Sequence, residues 1–439
     1  MLKILSNRTY RHLFGAQVVA LLGTGFATVA LALLAYDLAG DNAGTVLGTA
    51  LAIKIIAYVA VAPIAAAYAA RLPRRTVLVA FDVIRAAAAL SLPFVSQVWQ
   101  IYVLIFVLQS ASAGFTPTFQ ATIPDILPDE EDYTRALSLS RLAYDLESLA
   151  SPIFAAALLS VLPFSDLFIG TALGFLISGL LVVSVALPNP AAKRPEGGIS
   201  RFTRGSRLYL ATPRLRGLLA INLVVAAGGA MVIVNTVVIV QGQFGLADRD
   251  TALAFAAFGA GSMIAALVLP SALDRLSDRT IMLSGGALLA AGLFAGPLAS
   301  SFSVLVALWL ALGLGSSAAQ VPSGRLIRRS AHSGDRPALF AAQFALSHAC
   351  WLIAYPLAGW LGAHAGLPST FLILGAIAVA GLFAAVSIWP RTDKGVLEHD
   401  HHDLAENDPH WRDGDRTSGR RHAHMYIIDD LHPEWPREP

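Results

Sequence analysis

Four ionisable side chains lie deep inside long apolar stretches of the sequence, and their types suit the exchange of protons or the binding of a charged molecule. They are Lys54, Asp145, Glu147 and His348. At about 1.5 Å of rise per residue, Lys54, Asp145 and His348 lie near the middle of a bilayer if each stretch forms a spanning helix, and Glu147 lies a little further out. A charge at that depth is costly and is expected to be functional. A desolvated carboxylate can exchange protons near neutral pH, and His348 is either a proton relay or cation ligand or a histidine hydrogen-bonded within the bundle.

Three further charged side chains, Asp82, Arg85 and Arg141, lie nearer one end of these stretches, and their spacing predicts local ion pairs. Asp82 and Arg85 are three residues apart, and Arg141 and Asp145 are four apart. Each pair can therefore meet on one face of a helix. We interpret Asp82 and Arg85 as a pair that fixes neighbouring helices, whereas for the deeper acids and the lysine we favour proton coupling or cargo binding.

The last 49 residues, 391–439, differ in composition from the rest and contain potential metal ligands. They hold seven of the chain's eleven histidines, interleaved with Asp and Glu. Imidazole with carboxylate suits nickel, cobalt, zinc or copper, and histidines two residues apart share one side of an extended chain. The alternative is a solubilising polar tail, although the apolar triplet at 426–428 predicts a small docked strand. The predicted metal ligands are His399, His401, His402, His422, His424 and His432.

The chain as a whole is too apolar for a soluble protein. Its 439 residues are 56% hydrophobic and 14% charged, against about 25% charged in a typical soluble domain. The single cysteine excludes a disulfide framework, and the net charge of +2 argues against binding to nucleic acid. No catalytic constellation lies in an apolar stretch, so we expect no enzyme.

Stretches of about 20 apolar residues predict an all-α membrane protein with twelve transmembrane helices, at 12–36, 44–68, 76–96, 99–122, 135–160, 165–187, 216–241, 251–273, 280–298, 303–323, 337–362 and 369–389.

The basic residues of the loops predict a topology. With both termini inside, the inner segments carry almost all Lys and Arg, whereas the outer loops carry only Arg249. Lys and Arg concentrate on the cytoplasmic side of membrane proteins. The sequence therefore predicts a multi-pass protein of the inner (plasma) membrane, with the lipid bilayer as its surroundings and both termini in the cytoplasm.

The two halves of the chain echo each other. The stretch ARLPRRTVL at 70–78 is similar to DRLSDRTIM at 274–282, an offset of 204, and Pro152 corresponds to Pro356 at the same offset. A parallel repeat of two six-helix halves is known in secondary transporters. We therefore predict an N-terminal six-helix half at 1–187, a polar cytoplasmic linker at 188–215, a C-terminal six-helix half at 216–390 and the tail at 391–439.

The repeated loop resembles the G-x-x-x-D-R-x-x-R-R loop of the major facilitator transporters. In that family the loop forms charged contacts that hold the inward-closed state. The resemblance implies a gating role for the charged residues of the loop. We assign the same role to Asp82, Arg85 and Arg141, which lie in the third of the membrane nearest the cytoplasm. The first copy has lost the aspartate, so its arginines can also serve topology alone. The matching residues are Arg71, Arg74 and Arg75, with Ala66 and Ala70 in the Gly and Asp places, and in the second copy Asp274, Arg275 and Arg279, with Pro270 in the Gly place.

Two longer stretches resemble the nickel-resistance (Nre-type) branch of that superfamily, which is close to the macrolide and siderophore exporters. They are NRTYRHLFGAQVVALLGTGFATVALALLAYDLAG near the start and TPTFQATIPDILPDEEDYTRALSLSRLAYDLESLASP at 116–152. The resemblance covers most of the first half and the tail. It implies the efflux of a divalent cation, nickel or cobalt.

We therefore expect a monomeric, proton-coupled exporter of nickel or cobalt without a resident cofactor, whose partners are protons and a small cationic or drug-like substrate. No nucleotide-binding loop is present in the sequence, which predicts gradient-driven transport. Two alternatives stay open. One is a drug, macrolide or siderophore exporter of the same superfamily, and the other is a non-transporting membrane metal sensor.

Overall fold

The fold is almost entirely helical, which confirms the predicted all-α class. A computed structural model describes residues 2–69, 72–188, 198–273, 275–330, 335–390, 396–400, 415–418, 421–428, 432 and 435. These ranges contain the helices α1 Arg8–Ala39, α2 Ala43–Ala69, α3 Arg74–Ser91, α4 Val98–Ile126, α5 Glu130–Leu158, α6 Ser165–Val183, α7 Gly198–Ala211, α8 Pro213–Val237, α9 Asp248–Leu273, α10 Asp278–Ala295, α11 Phe302–Gln320, α12 Ser323–Arg328, α13 Arg336–His364 and α14 Leu367–Ile388.

Twelve of these helices are long, and they correspond to the twelve predicted spans. Ten segments of the described chain are long and apolar enough to cross a membrane. The first of them, Arg8–Val61, contains both α1 and α2, which reverse direction at the turn Gly40–Asn42. Helix α5 is absent from the ten because Arg141, Asp145 and Glu147 lie in its middle. The short α7 lies within the predicted linker and packs against α13.

The bundle has two ends, which differ in their charge. We call the end that holds the start of α1 and the α2–α3 and α4–α5 turns the basic end, because Arg74, Arg75, Arg279 and Arg325 lie there. We call the opposite end, which holds the α1–α2 turn, the far end. Helices α1–α6 pack together, as do α8–α14, and the two sets meet mainly where α2 contacts α13 and α5 contacts α9.

Small residues allow the closest helix contacts. A Cβ added to Gly174 on α6 would lie 2.9 Å from the backbone oxygen of Val19 on α1. The hydroxyl of Thr171 donates a 2.8 Å hydrogen bond to the backbone oxygen of Gly23. Helices in a membrane associate through such tight packing because lipid provides no hydrophobic force between them.

A seam between α2 and α13 closes the far end. A Cβ added to Gly48 would lie 2.4 Å from the backbone oxygen of Tyr355, and one added to Gly359 would lie 2.0 Å from that of Gly44. The hydroxyl of Thr45 donates to the backbone oxygen of Gly359 at 3.1 Å. The two backbones are therefore in direct contact near this end.

The tail forms a three-stranded antiparallel sheet in the order β1-β3-β2. Its strands are β1 Val396–Asp400, β2 Asp415–Ser418 and β3 Arg421–Met425. The triplet at 426–428 is buried against the helices, as predicted, but it follows β3 and is not itself a strand. Predicting a strand there was wrong because the apolar side chains serve docking, whereas the sheet hydrogen bonds come from the polar residues before them.

Candidate transport cavity

A cavity of about 360 Å³ lies among α1–α5 and contains two of the four deep charges predicted from the sequence, Lys54 and Glu147. It extends from the level of these residues to Ile123, three residues before the basic end of α4. Its wall mixes aromatic and uncharged polar groups with the charges, and includes Gln17, Thr24, Tyr58, Gln109, Phe115, Thr116, Phe119, Gln120 and Tyr144. This volume lies in the range of small-molecule sites, about 300–1,000 Å³.

Lys54 on α2 and Glu147 on α5 carry opposite charges within electrostatic range of each other. Among the described residues, no ion pair within 4.0 Å joins the two. One carboxylate oxygen, Oε1 of Glu147, lies against the α1 backbone, 2.9 Å from where a Cβ on Gly25 would be. The arrangement leaves the carboxylate free to hold a proton or to meet a cation in the cavity. The side chain of Asp145, the other predicted coupling acid, lies outside the described part of the chain.

His348 on α13 is partly satisfied by its own helix. Its Nδ1 donates a 2.7 Å hydrogen bond to the backbone oxygen of Phe344, and the two rings lie 3.9 Å apart. It lies within electrostatic range of Lys54. Of the two interpretations left open by the sequence, this hydrogen bond favours a histidine bonded within the bundle, and it leaves Nε2 for a second partner.

Asp82 and Arg85 form the predicted ion pair on α3. Asp82 is fully buried and also accepts a 2.9 Å hydrogen bond from Ser178. The Arg85 guanidinium lies between two aromatic rings, 4.0 Å from the centroid of Phe115 and 4.4 Å from that of Phe175. Arg85 also lines the cavity. The pair therefore ties α3 to α4 and α6 while presenting a stacked cation to the cavity.

We expect Arg85→Ala to destabilise the protein strongly, because it leaves the Asp82 carboxylate buried without its charge partner. Breaking one side of a buried pair costs about 3–5 kcal/mol. The double variant Asp82→Asn/Arg85→Leu should recover most of that loss. Thermal unfolding in detergent measures both. The matched control is Arg135→Ala, which removes one member of a half-exposed pair at the same i,i+3 spacing, 3.0 Å from Asp132, and should cost about 0.5 kcal/mol or less. Equal losses for Arg85→Ala and the double variant would contradict this account.

The two copies of the repeated loop contain charge-reversed ion pairs. Arg74, at the start of α3, pairs with Asp125 at the end of α4. Asp278, at the start of α10, lies 3.8 Å from Arg329, and also binds Arg325 at 2.6 Å. Asp278 and Arg329 each lie 204 positions after their counterparts, the offset of the sequence repeat. Sequence reasoning missed this pair because the charges are exchanged between the copies, although the offset itself pointed to it.

The other predicted gating residues have more local contacts. Arg75 donates to the backbone oxygen of Val183, and Arg279 donates to those of Trp389 and Val386 at 3.3 and 3.2 Å. Arg275 is exposed. These contacts tie the loops to the basic ends of α6 and α14. Arg71, Asp274 and the side chain of Arg141 lie outside the described residues.

A second cavity, of about 670 Å³, lies in the C-terminal set of helices near the basic end. Among the described residues, its wall contains no charged side chain. The wall combines hydroxyl and amide groups with apolar ones, namely Ser262, Met263, Ser317, Gln320, Ser323, Ile327, Phe340, Gln343, Phe344 and Ser347. The charged groups of the described cavities therefore lie on the N-terminal side, in the first cavity.

No group of three or more His, Cys, Asp or Glu side chains that could hold a metal ion occurs among the described residues. Of the predicted tail ligands, His432 is buried, whereas His401 and His402 lie outside the described residues. The backbone register pairs His399 on β1 with His422 on β3, and Leu397 with His424.

The family of the chain follows from a sequence profile that covers nearly all of its helices. The profile of the Major Facilitator Superfamily matches residues 13–235 and 218–412. The chain belongs to the Major Facilitator Superfamily. It is therefore a multi-pass membrane transporter.

Curated relatives and solved structures agree with this assignment. Macrolide efflux protein A of Streptococcus pyogenes is 25% identical over 181 residues, 40% of this chain and 44% of the relative. The protein of the same name from Enterococcus faecalis is 28% identical over 26% of this chain and 37% of the relative. The chain thus matches less than half the length of these relatives.

The fold is similar to that of a bacterial homologue of the human lysosomal transporter Spinster, solved in an inward-facing, unoccupied conformation. The TM-score is 0.70 at 13% identity, over 87% of this chain and 98% of that one. The human organic anion transporter MFSD10 (TETRAN) gives a TM-score of 0.60 at 13% identity, over 86% of this chain and 99% of that one. These similarities establish the fold.

Proposed function

We propose that this transporter exports an amphipathic organic molecule in exchange for protons. The observation that carries the proposal is the first cavity, whose wall combines aromatic rings and uncharged polar groups with one half-buried acid, one half-buried lysine and the stacked Arg85. Such a wall suits an organic cargo, whereas a divalent cation prefers several carboxylate or imidazole ligands. The name of the macrolide efflux relatives supports an efflux role.

Transport by purified protein in proteoliposomes tests this proposal. Vesicles with an imposed pH gradient are given a labelled macrolide, a labelled organic cation or labelled nickel. We expect gradient-dependent accumulation of an organic cargo that stops when the gradient is collapsed. Accumulation of nickel alone would contradict the proposal, and so would accumulation of an organic cargo that continues unchanged after the pH gradient is collapsed.

Export of nickel or cobalt is a second candidate, and a specific observation favours it. The register of the tail sheet places His399 opposite His422, and directly opposed residues in antiparallel strands have Cβ atoms about 4.5–5.5 Å apart. Two imidazoles at this spacing could share an ion. In this second proposal the tail collects the metal in the cytoplasm and the helices export it. A non-transporting sensor is disfavoured by the transporter fold and its cavities.

We expect the full-length protein to bind nickel more weakly when His422 and His424 are both replaced by Ala. Calorimetric titration of the purified protein measures the change. The matched control is His410→Ala, because His410 has no near histidine neighbour in the sequence. Dissociation constants that are weaker than millimolar for nickel, cobalt, zinc and copper in the unmodified protein would rule out a metal-binding tail.

We also propose that this transporter lies in the inner membrane and that its basic end faces the cytoplasm. The reason is that loops rich in Lys and Arg are retained on the cytoplasmic side. A reporter that is active only in the cytoplasm should work when fused at residue 200 or at the C-terminus. It should fail at residue 247, which precedes α9 at the far end. Activity at 247 would reverse the topology.

A further inference from the structure

An arginine at the start of α8 is buried and joins three segments of the chain. Arg214 is the second residue of α8 and is 1% exposed. A cation at a helix N-terminus opposes the helix dipole, so acceptors from elsewhere must hold it. Its Nε donates to Ser330 at 2.8 Å, and its Nη2 donates to the backbone oxygens of Arg329 at 2.9 Å and Tyr426 at 3.3 Å. Arg214 thus connects α8, the end of α12 and the C-terminal tail.

Aromatic residues of the tail surround this arginine. The Arg214 guanidinium lies 5.0 Å from the ring centroid of Trp435. The Tyr426 ring meets Trp435 edge-on at 5.3 Å and His432 at 4.9 Å. Residues 426–428 and His432 are each at most 7% exposed. We call this assembly of Arg214 with 426–428, His432 and Trp435 the clasp.

The clasp holds a short helix that borders the second cavity. Helix α12 has only six residues, too few to be stable without tertiary contacts. Its Ser323, Gly324 and Ile327 line the cavity. Ser330, just after α12, accepts from Arg214 and donates to the backbone oxygen of Leu326 at 2.6 Å. The contacts of Arg214 therefore help to position this side of the cavity, beside the ion pair of Arg325 with Asp278.

We propose that the surface formed by the start of α8 and the end of α12 is a docking site for the chain's own C-terminal segment, and that its occupancy keeps the mouth of the second cavity ordered. The occupant is the part of that segment that the structure describes here, 426–428 with His432 and Trp435, because the contacts above join these residues to Arg214 and to each other. Strand β3 ends at Met425, directly before Tyr426, whose backbone oxygen accepts the hydrogen bond from Arg214.

Two truncations that differ by one residue test the proposal. One chain ends at Trp435 and the other at Glu434, both with Cys350→Ala and a reporter thiol introduced by Ser323→Cys on α12. The purified, folded protein is treated with a maleimide, and the rate at which the thiol introduced at position 323 reacts measures how open the mouth of the second cavity is. Loss of the Trp435 ring from beside the buried Arg214 guanidinium should raise the rate about tenfold in the chain that ends at Glu434. The chain that ends at Trp435 should label like the full-length protein.

A second thiol and a second pair of variants separate this effect from general unfolding. Gln120→Cys, in the first cavity, should label at the same rate in both truncations. In the full-length chain, Trp435→Ala should act like the shorter truncation, whereas Trp435→Phe keeps an aromatic face and should restore slow labelling. Equal labelling at Ser323→Cys in the two truncations would overturn the proposal, and so would an equal rise at Gln120→Cys. The readout needs no cargo, so it is independent of the proposed function.

Discussion

Efflux driven by a pH gradient is expected to fall to the level of protein-free vesicles in the Glu147→Gln variant, while exchange of cargo for cargo continues. Glutamine keeps the size and polarity of the side chain but cannot take up or release a proton at this position. Glu147 lines the cavity and lies within electrostatic range of Lys54. Binding of a proton and binding of a cargo could therefore compete for one site, as proton-coupled exchange requires. Transport in proteoliposomes, with and without an imposed gradient, measures both activities.

A structural role for Glu147 predicts a different result. If the carboxylate only compensates Lys54, the glutamine variant leaves the half-buried lysine inside the bundle without its counter-charge, which is destabilising. The double variant Lys54→Met/Glu147→Gln removes both charges. Under the structural account it recovers stability and transport together, whereas under the coupling account it recovers stability alone.

The control for this experiment comes from the same helix. Asp132→Asn removes a half-exposed acid near the basic end of α5 and should leave gradient-driven efflux intact. Asp145→Asn tests the second acid that the sequence offers on this helix. If both single variants and the Asp145→Asn/Glu147→Gln double variant still pump against a cargo gradient, neither acid couples the proton.

The helices of this protein could be predicted from the sequence because the bilayer imposes a length and an apolar composition on each of them. Helix α5 is instructive, since Arg141, Asp145 and Glu147 weaken its apolar signal. The depth of Glu147 in that helix nevertheless predicted a level close to the middle of the bilayer, a little further out than that of Asp145, and the cavity contains Glu147. Depth along one helix needs only the rise per residue, so a sequence can give it.

Contacts between helices were harder to predict, because they depend on how each helix is rotated about its axis. The sequence indicated that Asp82 and Arg85 could pair, since their spacing is local. It gave no sign that Phe115 and Phe175, from two other helices, enclose Arg85. Arg214 was counted only as one of many basic residues that fix topology. Of its partners, Arg329 lies 115 positions and Tyr426 lies 212 positions further along the chain. No local sequence pattern spans such a distance.

The far-end seam supplies the second large expected effect. Replacing Gly48 with Val should abolish transport, because the far end could no longer close. The backbone of α2 at Gly48 lies directly against α13. Even a Cβ on Gly48 would be 2.4 Å from the backbone oxygen of Tyr355. Backbone atoms cannot move aside as a side chain can, and the two helices must separate. An alternating-access carrier needs both ends to close in turn, and such a variant should remain open at the far end.

Spin labels at Asp41→Cys and His364→Cys, in a Cys350→Ala background, can measure this separation, since both residues are exposed near the far end of α2 and α13. We expect a longer distance between the labels in Gly48→Val than in the unmodified chain, together with the loss of exchange as well as of net efflux. Loss of exchange distinguishes this variant from Glu147→Gln, which should still exchange cargo. Gly15→Ala is the matched control: a Cβ there meets only Leu181, at an ordinary 3.5 Å, so neither the distance nor transport should change. Normal turnover by Gly48→Val would mean that transport does not require this seam to close.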